Sequence, residues 1–432
     1  MTACSYTEDG PAIVAHAMGI CRDCKSYLQQ QMDQARDNID VHSEPSMRAI
    51  LRRVELSGRT LILVHRAVSA LVQSSVFSVP SPVALMIGRL AKRIDQKATL
   101  VVVPLTGYDY HHQAFNLGPL GSSEVKGLSL LGLPSAHRQC PFGATLLFHE
   151  LGHFAAHALG FNEKPPWRPR PLEEPHLYAR IYELAQLRVG KGPMDVQSEM
   201  STLLRVRDRW CQELFADHFA LAVAGPVYLG AFCALENVMP SPSGPLHGVL
   251  PTHPHSYTRI RYMLRGLNLE NATILAERMP RTHSAAKDLS GLPSPSDYVE
   301  LEEAFGLDEW FDPVTKRADE LVRKWEMSFD SRLFSEEHAS PVLDRFAHLT
   351  PAGQLVGTDG SVSYPDWRAV LNAAWLFLTE KRDLWDDKLL QEGSQLERHC
   401  AAVDKLSALV MKSLEDIMVA KEWPEANHVR IE

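Results

Sequence analysis

The residues with the strongest chemical signature are His149-Glu150-Leu151-Gly152-His153. Positions four apart on an α-helix lie about 40° apart around its axis, so two imidazoles in this spacing can reach one tetrahedral ion. Glu150, offset by one residue, does not easily reach that ion. It is placed instead to take a proton from a water on the side of the metal that the histidines leave open, which is the work of a general base. In a chain with 19 histidines, chance supplies such a pentapeptide only about 0.06 times. Its flanks, Ala144 to Phe148 and Phe154 to Ala156, are those of an apolar helix.

A catalytic zinc takes three protein ligands and keeps a fourth position free. His157 continues the same helix face, but an unbroken helix carries its ring roughly 6 Å further along the axis, so it reads better as a satisfied polar side chain. Glu213 is the better candidate. It lies in Trp210-Cys211-Gln212-Glu213-Leu214-Phe215-Ala216-Asp217, with Asp217 four residues on. Carboxylates so spaced are ordinarily solvated. Here Leu214, Phe215, Ala216, Phe219 and Ala220 surround them, and carboxylates directed into an interior require a compensating cation. Glu213 then ligates the ion while Asp217 accepts the spare N–H of a ligand histidine and fixes its tautomer.

Helices must carry both groups. The first should start near Pro141, a residue favoured at first helical positions, and stop at Gly160, suited to a left-handed cap. The second should run from Val206 to Val223, and Phe219 to Leu235, broken by Gly225-Pro226, reads as a buried, kinked helix pair rather than a membrane span. Lys164 to Pro175, with five prolines, reads as an irregular exposed excursion. Before the motif, Cys24 to about Ile94 is helical, with Leu61, Val64, Val68, Leu71 and Val72 as its apolar stripe. Ala98 to Val103 and Val125 to Leu133 read as strands of a small sheet. The latter is equally suited to be a core strand or an edge that receives an extended peptide. His111-His112 reads as a solvated pair in a loop, and Cys21-Arg22-Asp23-Cys24 lacks the second pair that a zinc ribbon needs.

Past the second helix, Met239 to Pro251 is a Pro/Ser/Gly-rich stretch leading to Thr252-His253-Pro254, after which Arg259 to Arg265 is helical with Gly266 as its cap. His253, His255 and Tyr257 are each able to donate to the oxyanion formed when water attacks a polarised carbonyl. Residues 283–297, with Gly291, Pro293 and Pro295, form the clearest linker, and nearly everything beyond is helix-like. The last helix carries Leu396, Cys400, Val403, Val410 and Leu414 on one stripe, the pattern of a core face. The division that follows is an N-terminal helical region (1–97), a catalytic domain (98–282) and a C-terminal helical region (298–432). The fold class is α+β, predominantly helical.

At 432 residues, 45% hydrophobic and 22% charged, the chain has the composition of a folded protein. A net charge of -9 supplies no basic field for nucleic acid. Seven scattered cysteines suit a reducing cytoplasm, and Glu8 and Asp9 before a short apolar stretch argue against a signal peptide.

Together, His149-Glu150-Leu151-Gly152-His153, Glu213-Leu214-Phe215-Ala216-Asp217 and Thr252-His253-Pro254 with Arg259-Ile260 resemble the gluzincin peptidases of the HtpX and CAAX-protease type, over about residues 98–270. The first motif is also similar, more distantly, to soluble peptidases of the ImmA/IrrE type. The resemblance implies a zincin-like domain with zinc on His149, His153 and Glu213. It further implies Glu150 as base, Asp217 behind a ligand, His253 near the active site as a catalytic residue, and Arg259 as a weaker candidate. The chain departs from the first group in lacking an apparent membrane helix. The function expected is zinc-dependent hydrolysis of peptide bonds in a protein or peptide substrate. The alternative is a catalytically silent, zinc-stabilised binding or regulatory module, against which an intact Glu150 speaks.

Overall fold

The computed structural model describes the chain except residues 1–3, 38–47, 70–80, 97–98, 106–109, 115–127, 162–163, 170–172, 190–192, 241–249, 386–393 and 423–432, position 358, and scattered positions within 50–67 and 135–139. The chain divides into two compact units, residues 1–138 and 139–432. This division falls neither at residue 98 nor in 283–297, where composition alone draws the boundaries.

The first unit contains α1 (Cys4–Asp37), helical residues between 48 and 69, α2 (Ser81–Ile94) and a three-stranded sheet. On α2, Val83, Met86, Ile87, Leu90 and Ala91 recur at three and four spacing and are buried. Of the stripe expected earlier in the chain, Val64 is buried but Leu61 is exposed, and Leu71 and Val72 lie outside the described residues. The strands are β1 (Thr99–Leu105), β2 (His111–Ala114) and β3 (Leu128–Pro134), ordered β1-β3-β2. β3 pairs parallel with β1 and antiparallel with β2. It is therefore the central strand and offers no edge to a peptide. His111 and His112 belong to β2, opposite Gly132 and Leu131, and not to a loop. Cys21 and Cys24 are free thiols on α1, one exposed and one buried.

The second unit is almost wholly helical. It runs α3 (Pro141–Thr145), α4 (Leu147–Ala158), α5 (Pro175–Val189), α6 (Pro193–Ala224), α7 (Pro226–Val238), α8 (Ser256–Gly266), α9 (Leu269–Arg278), α10 (Pro280–Ser290), α11 (Ser296–Phe305), α12 (Leu307–Lys324), α13 (Glu336–Ala347), α14 (Trp367–Leu376) and α15 (Gln395–Glu422), with a two-stranded ribbon at Leu355–Val356 and Val362–Ser363. No helix of the described residues is long and apolar enough to cross a membrane.

Two stretches differ from their composition. The proline-rich excursion is irregular and exposes Lys164, Pro166, Arg168 and Glu173, but it is anchored at Trp167, which is 1% exposed: its indole donates to Asp208 O, and its own carbonyl accepts from the buried Arg207. Within 283–297, α10 continues to Ser290 and only a short turn precedes α11. That turn is anchored by Ser294 on Thr258, and Arg207 donates to Phe305 O at the end of α11. On α15 the core face is Ala402, Leu406, Leu409, Val410, Ser413, Leu414 and Ile417, whereas Cys400 is exposed.

Candidate metal centre

Two helices build the site. Cys140 caps α3 through a sulfur contact to Gly143 N, with Pro141 in the first turn, and α4 follows after Leu146. Gly160, with φ of 72°, turns the chain out of α4 in the left-handed region. Leu147, Phe148, Leu151, Phe154, Ala155 and Ala156 are buried on α4, so it is sunk in the unit and its polar residues must find partners there. α4 crosses α6 at Gly152, where a Cβ would stand 2.8 Å from Ala216 Cα. Only glycine permits that approach, and it brings His149 and His153 against Glu213 and Asp217, which flank Ala216.

His149 Nε2 and His153 Nε2 are 3.0 Å apart. Glu213 Oε2 lies 3.2 Å from the first and Oε1 lies 3.3 Å from the second. The three side chains form a group able to hold a metal ion. The structure thus brings together the three ligands expected from sequence. Glu213 Oε2 is buried without an aligned hydrogen-bond donor, with His149 Nε2 at 3.2 Å and Arg259 Nη2 at 3.8 Å as its nearest positive partners.

Behind the ligands lies a buried polar cluster. His149 Nδ1 is 2.9 Å from Asp217 Oδ1, so the Nε2 lone pair is directed at the other donors when the imidazole is neutral. Asp217 also accepts Arg259 Nε and Nη2 at 2.7 and 2.6 Å, a two-pronged pair, and the Tyr228 hydroxyl at 2.6 Å. The guanidinium packs over the Phe232 ring, 4.7 Å from its centroid. Burial disfavours charge on His149, but the Asp217 carboxylate outweighs it and raises the imidazole to about 10. Burial likewise opposes ionisation of Asp217 and Glu213. Arg259 holds Asp217 well below the usual carboxylate range, and the histidines hold Glu213 below it. For Tyr228, burial and the Asp217 charge push the phenol well up, so it remains a donor.

Glu150 is buried on the same helix, within electrostatic reach of the Tyr228 phenol. His253 presents a side chain that is 58% exposed, with Nε2 3.4 Å from Glu213 Oε1 and Nδ1 2.8 Å from the Thr252 hydroxyl. The Glu213 charge pulls its pKa up, but partial burial and the cationic neighbours Arg259, His149 and His153 together leave it lowered. His255 instead caps α8 by accepting from Tyr257 N and packs against Tyr257 and Tyr298. His157 is exposed and stands outside the ligand group.

Arg259, a minor candidate in sequence, is thus an integral partner of Asp217. Tyr228 was missed. Its only signal is a hydroxyl in the apolar run after Gly225-Pro226, where a buried phenol needs a partner that sequence cannot name. The chain matches no known protein family, no curated protein and no solved structure.

Proposed function

We propose that this chain is a zinc-dependent peptidase. The observation that carries the reading is the convergence of His149 Nε2 and His153 Nε2, 3.0 Å apart, on the Glu213 carboxylate, whose Oε2 lies 3.2 Å from the first and whose Oε1 lies 3.3 Å from the second. A tetrahedron with ligand bonds of about 2.0–2.1 Å has edges of about 3.3 Å, so these spacings are of the size that zinc ligands take. Two imidazoles and one carboxylate favour zinc and its neighbours over magnesium or calcium, which prefer all-oxygen sets. When bound, zinc would act as a Lewis acid on a carbonyl and lower the pKa of water toward neutrality.

The chain's own residues supply the remainder. Glu150 takes the proton of the attacking water and returns it to the leaving amine. Asp217, held by Arg259 and Tyr228, keeps the His149 proton on Nδ1 and so leaves Nε2 as the donor. His253, at the exposed margin beside Glu213, donates to the developing oxyanion. The amide substrate rests on the resemblance to the HtpX and CAAX-protease type of gluzincin. A protein or peptide is the corresponding substrate class.

Metal content and cleavage of a peptide library by the wild type and Glu150→Gln test the reading. Zinc near one per chain in both, with cleavage reduced by about 10²–10⁴-fold in the variant, is the expected result. A wild type without zinc, or equal cleavage by the two proteins, would overturn it. Zinc without cleavage by the wild type would point instead to a zinc-stabilised binding module.

A further inference from the structure

Tyr228 follows Asp217 by eleven residues, and in an uninterrupted helix it would lie roughly 16 Å further along the axis, three turns out of reach. Yet its hydroxyl donates to Asp217 Oδ1 at 2.6 Å. The break between α6 and α7 makes the contact. Gly225 adopts φ of 78°, and a Cβ there would collide with the Phe329 ring, 2.8 Å away. α7 therefore folds back along α6 and delivers the phenol to the carboxylate that orients His149.

A break in a helix leaves carbonyls unpaired on one side and amides on the other. Both sides are held by one buried side chain, Asn372 on α14: its Nδ2 donates to Ala224 O at 2.7 Å and its Oδ1 accepts from Val227 N at 2.9 Å. Nδ2 also donates to Arg368 O, which ties the amide into its own helix. With two bonds across Gly225, Asn372 fixes the angle at which α7 returns.

We propose that Tyr228 is a positioning residue for the metal centre and that Asn372, from the C-terminal helices, sets its place by bridging the break at Gly225. This rests on the metal-centre reading above. It makes those helices a working part of the site and not an appendage to it.

The test is made on the full chain, by zinc competition against a chromophoric chelator and by the visible spectrum of the cobalt(II)-substituted protein. Tyr228→Phe removes one oxygen; it is expected to bind zinc about 10-fold more weakly and to shift the cobalt spectrum. Asn372→Ala is expected to show a similar loss, and the double variant no more than Asn372→Ala alone, because the two act through one contact. If Asn372→Ala does not fold, Gly225→Ala perturbs the same break and takes its place. A merely structural role would lower melting temperatures but leave zinc affinity and the cobalt spectrum unchanged, and that result in Tyr228→Phe overturns the inference alone. A wild type that takes up neither ion overturns the metal-centre reading together with it.

Discussion

Gly152→Ala puts the closest approach in the site under direct load. The added methyl would stand 2.8 Å from Ala216 Cα, 3.1 Å from its Cβ and 3.2 Å from its carbonyl oxygen. Carbon atoms in ordinary contact sit about 3.5–4.0 Å apart, so α4 and α6 must separate by roughly 0.7–1.2 Å. Metal–ligand distances tolerate about 0.2 Å. The separation falls between the helix bearing His149 and His153 and the helix bearing Glu213, so the third ligand is lost before the fold is. Alanine gains about 1 kcal/mol of helix propensity over glycine, while overpacking costs about 1–3 kcal/mol, for a net destabilisation of roughly 0–2 kcal/mol. Zinc affinity should fall by at least the ~10–100-fold that disturbing an outer partner costs. Chelator competition reads the affinity and urea unfolding of the metal-free protein reads the stability. At zinc near 100 times the wild-type Kd, the wild type gains about 2.7 kcal/mol from the ion, and a variant with 10- to 100-fold weaker affinity gains about 1.4 to 0.4 kcal/mol. A variant with wild-type affinity would refute the claim that this crossing sets the ligand spacing.

Metal uptake should release a proton. With His149 raised to about 10, the metal-free imidazole is protonated at neutral pH, and the ion needs the Nε2 lone pair. Affinity therefore rises with pH, by about tenfold per unit while one proton is displaced. Titrations in two buffers of different ionisation heat would detect that proton, and pH-independent affinity between neutrality and pH 9 would contradict it. The same raised value stabilises the metal-free fold fully below the ordinary histidine pKa of 6.5, a contribution lost as pH rises through about 10. Metal-free protein should accordingly melt lower at pH 9 than at pH 7, apart from any general alkaline loss that His149→Ala also shows. Elsewhere, Arg207→Met would leave the carbonyls of Trp167 and Phe305 without their buried donor. Unfolding in urea should show a loss of about 2–4 kcal/mol, and a change under about 0.5 kcal/mol would mean that those bonds contribute nothing net.

The parts of the site legible in the sequence are those whose partners share one helix. His149 and His153 are one turn apart, Glu213 and Asp217 are one turn apart, and Pro141, Gly160 and Gly225-Pro226 mark where their helices start, stop or break. Such facts depend on 3.6-residue geometry and on the backbone demands of proline and glycine. What composition misjudges is settled by bonds between distant segments. Five prolines predict an exposed excursion, and Lys164, Pro166 and Arg168 are exposed, but Arg207 and Asp208 on α6 take the carbonyl and indole of Trp167 and hold that side chain inside. Gly291, Pro293 and Pro295 predict a linker, but the Ser294 hydroxyl meets Thr258 on α8 and confines the segment to one turn. His111 and His112 have loop-like polarity, but their backbone pairs with β3, which neither residue's propensity foretells. Tyr228 is the limiting case. Its place beside Asp217 depends on the angle at Gly225, and that angle depends on an asparagine 145 residues downstream of the amide it accepts from. Local propensity can put a break at Gly225-Pro226, but it cannot choose the angle of return, because the groups that satisfy the broken helix ends lie on another helix. The proposed metal site is therefore specified at two ranges: the candidate ligands by helical spacing, and their orientation by the side chain that closes the break.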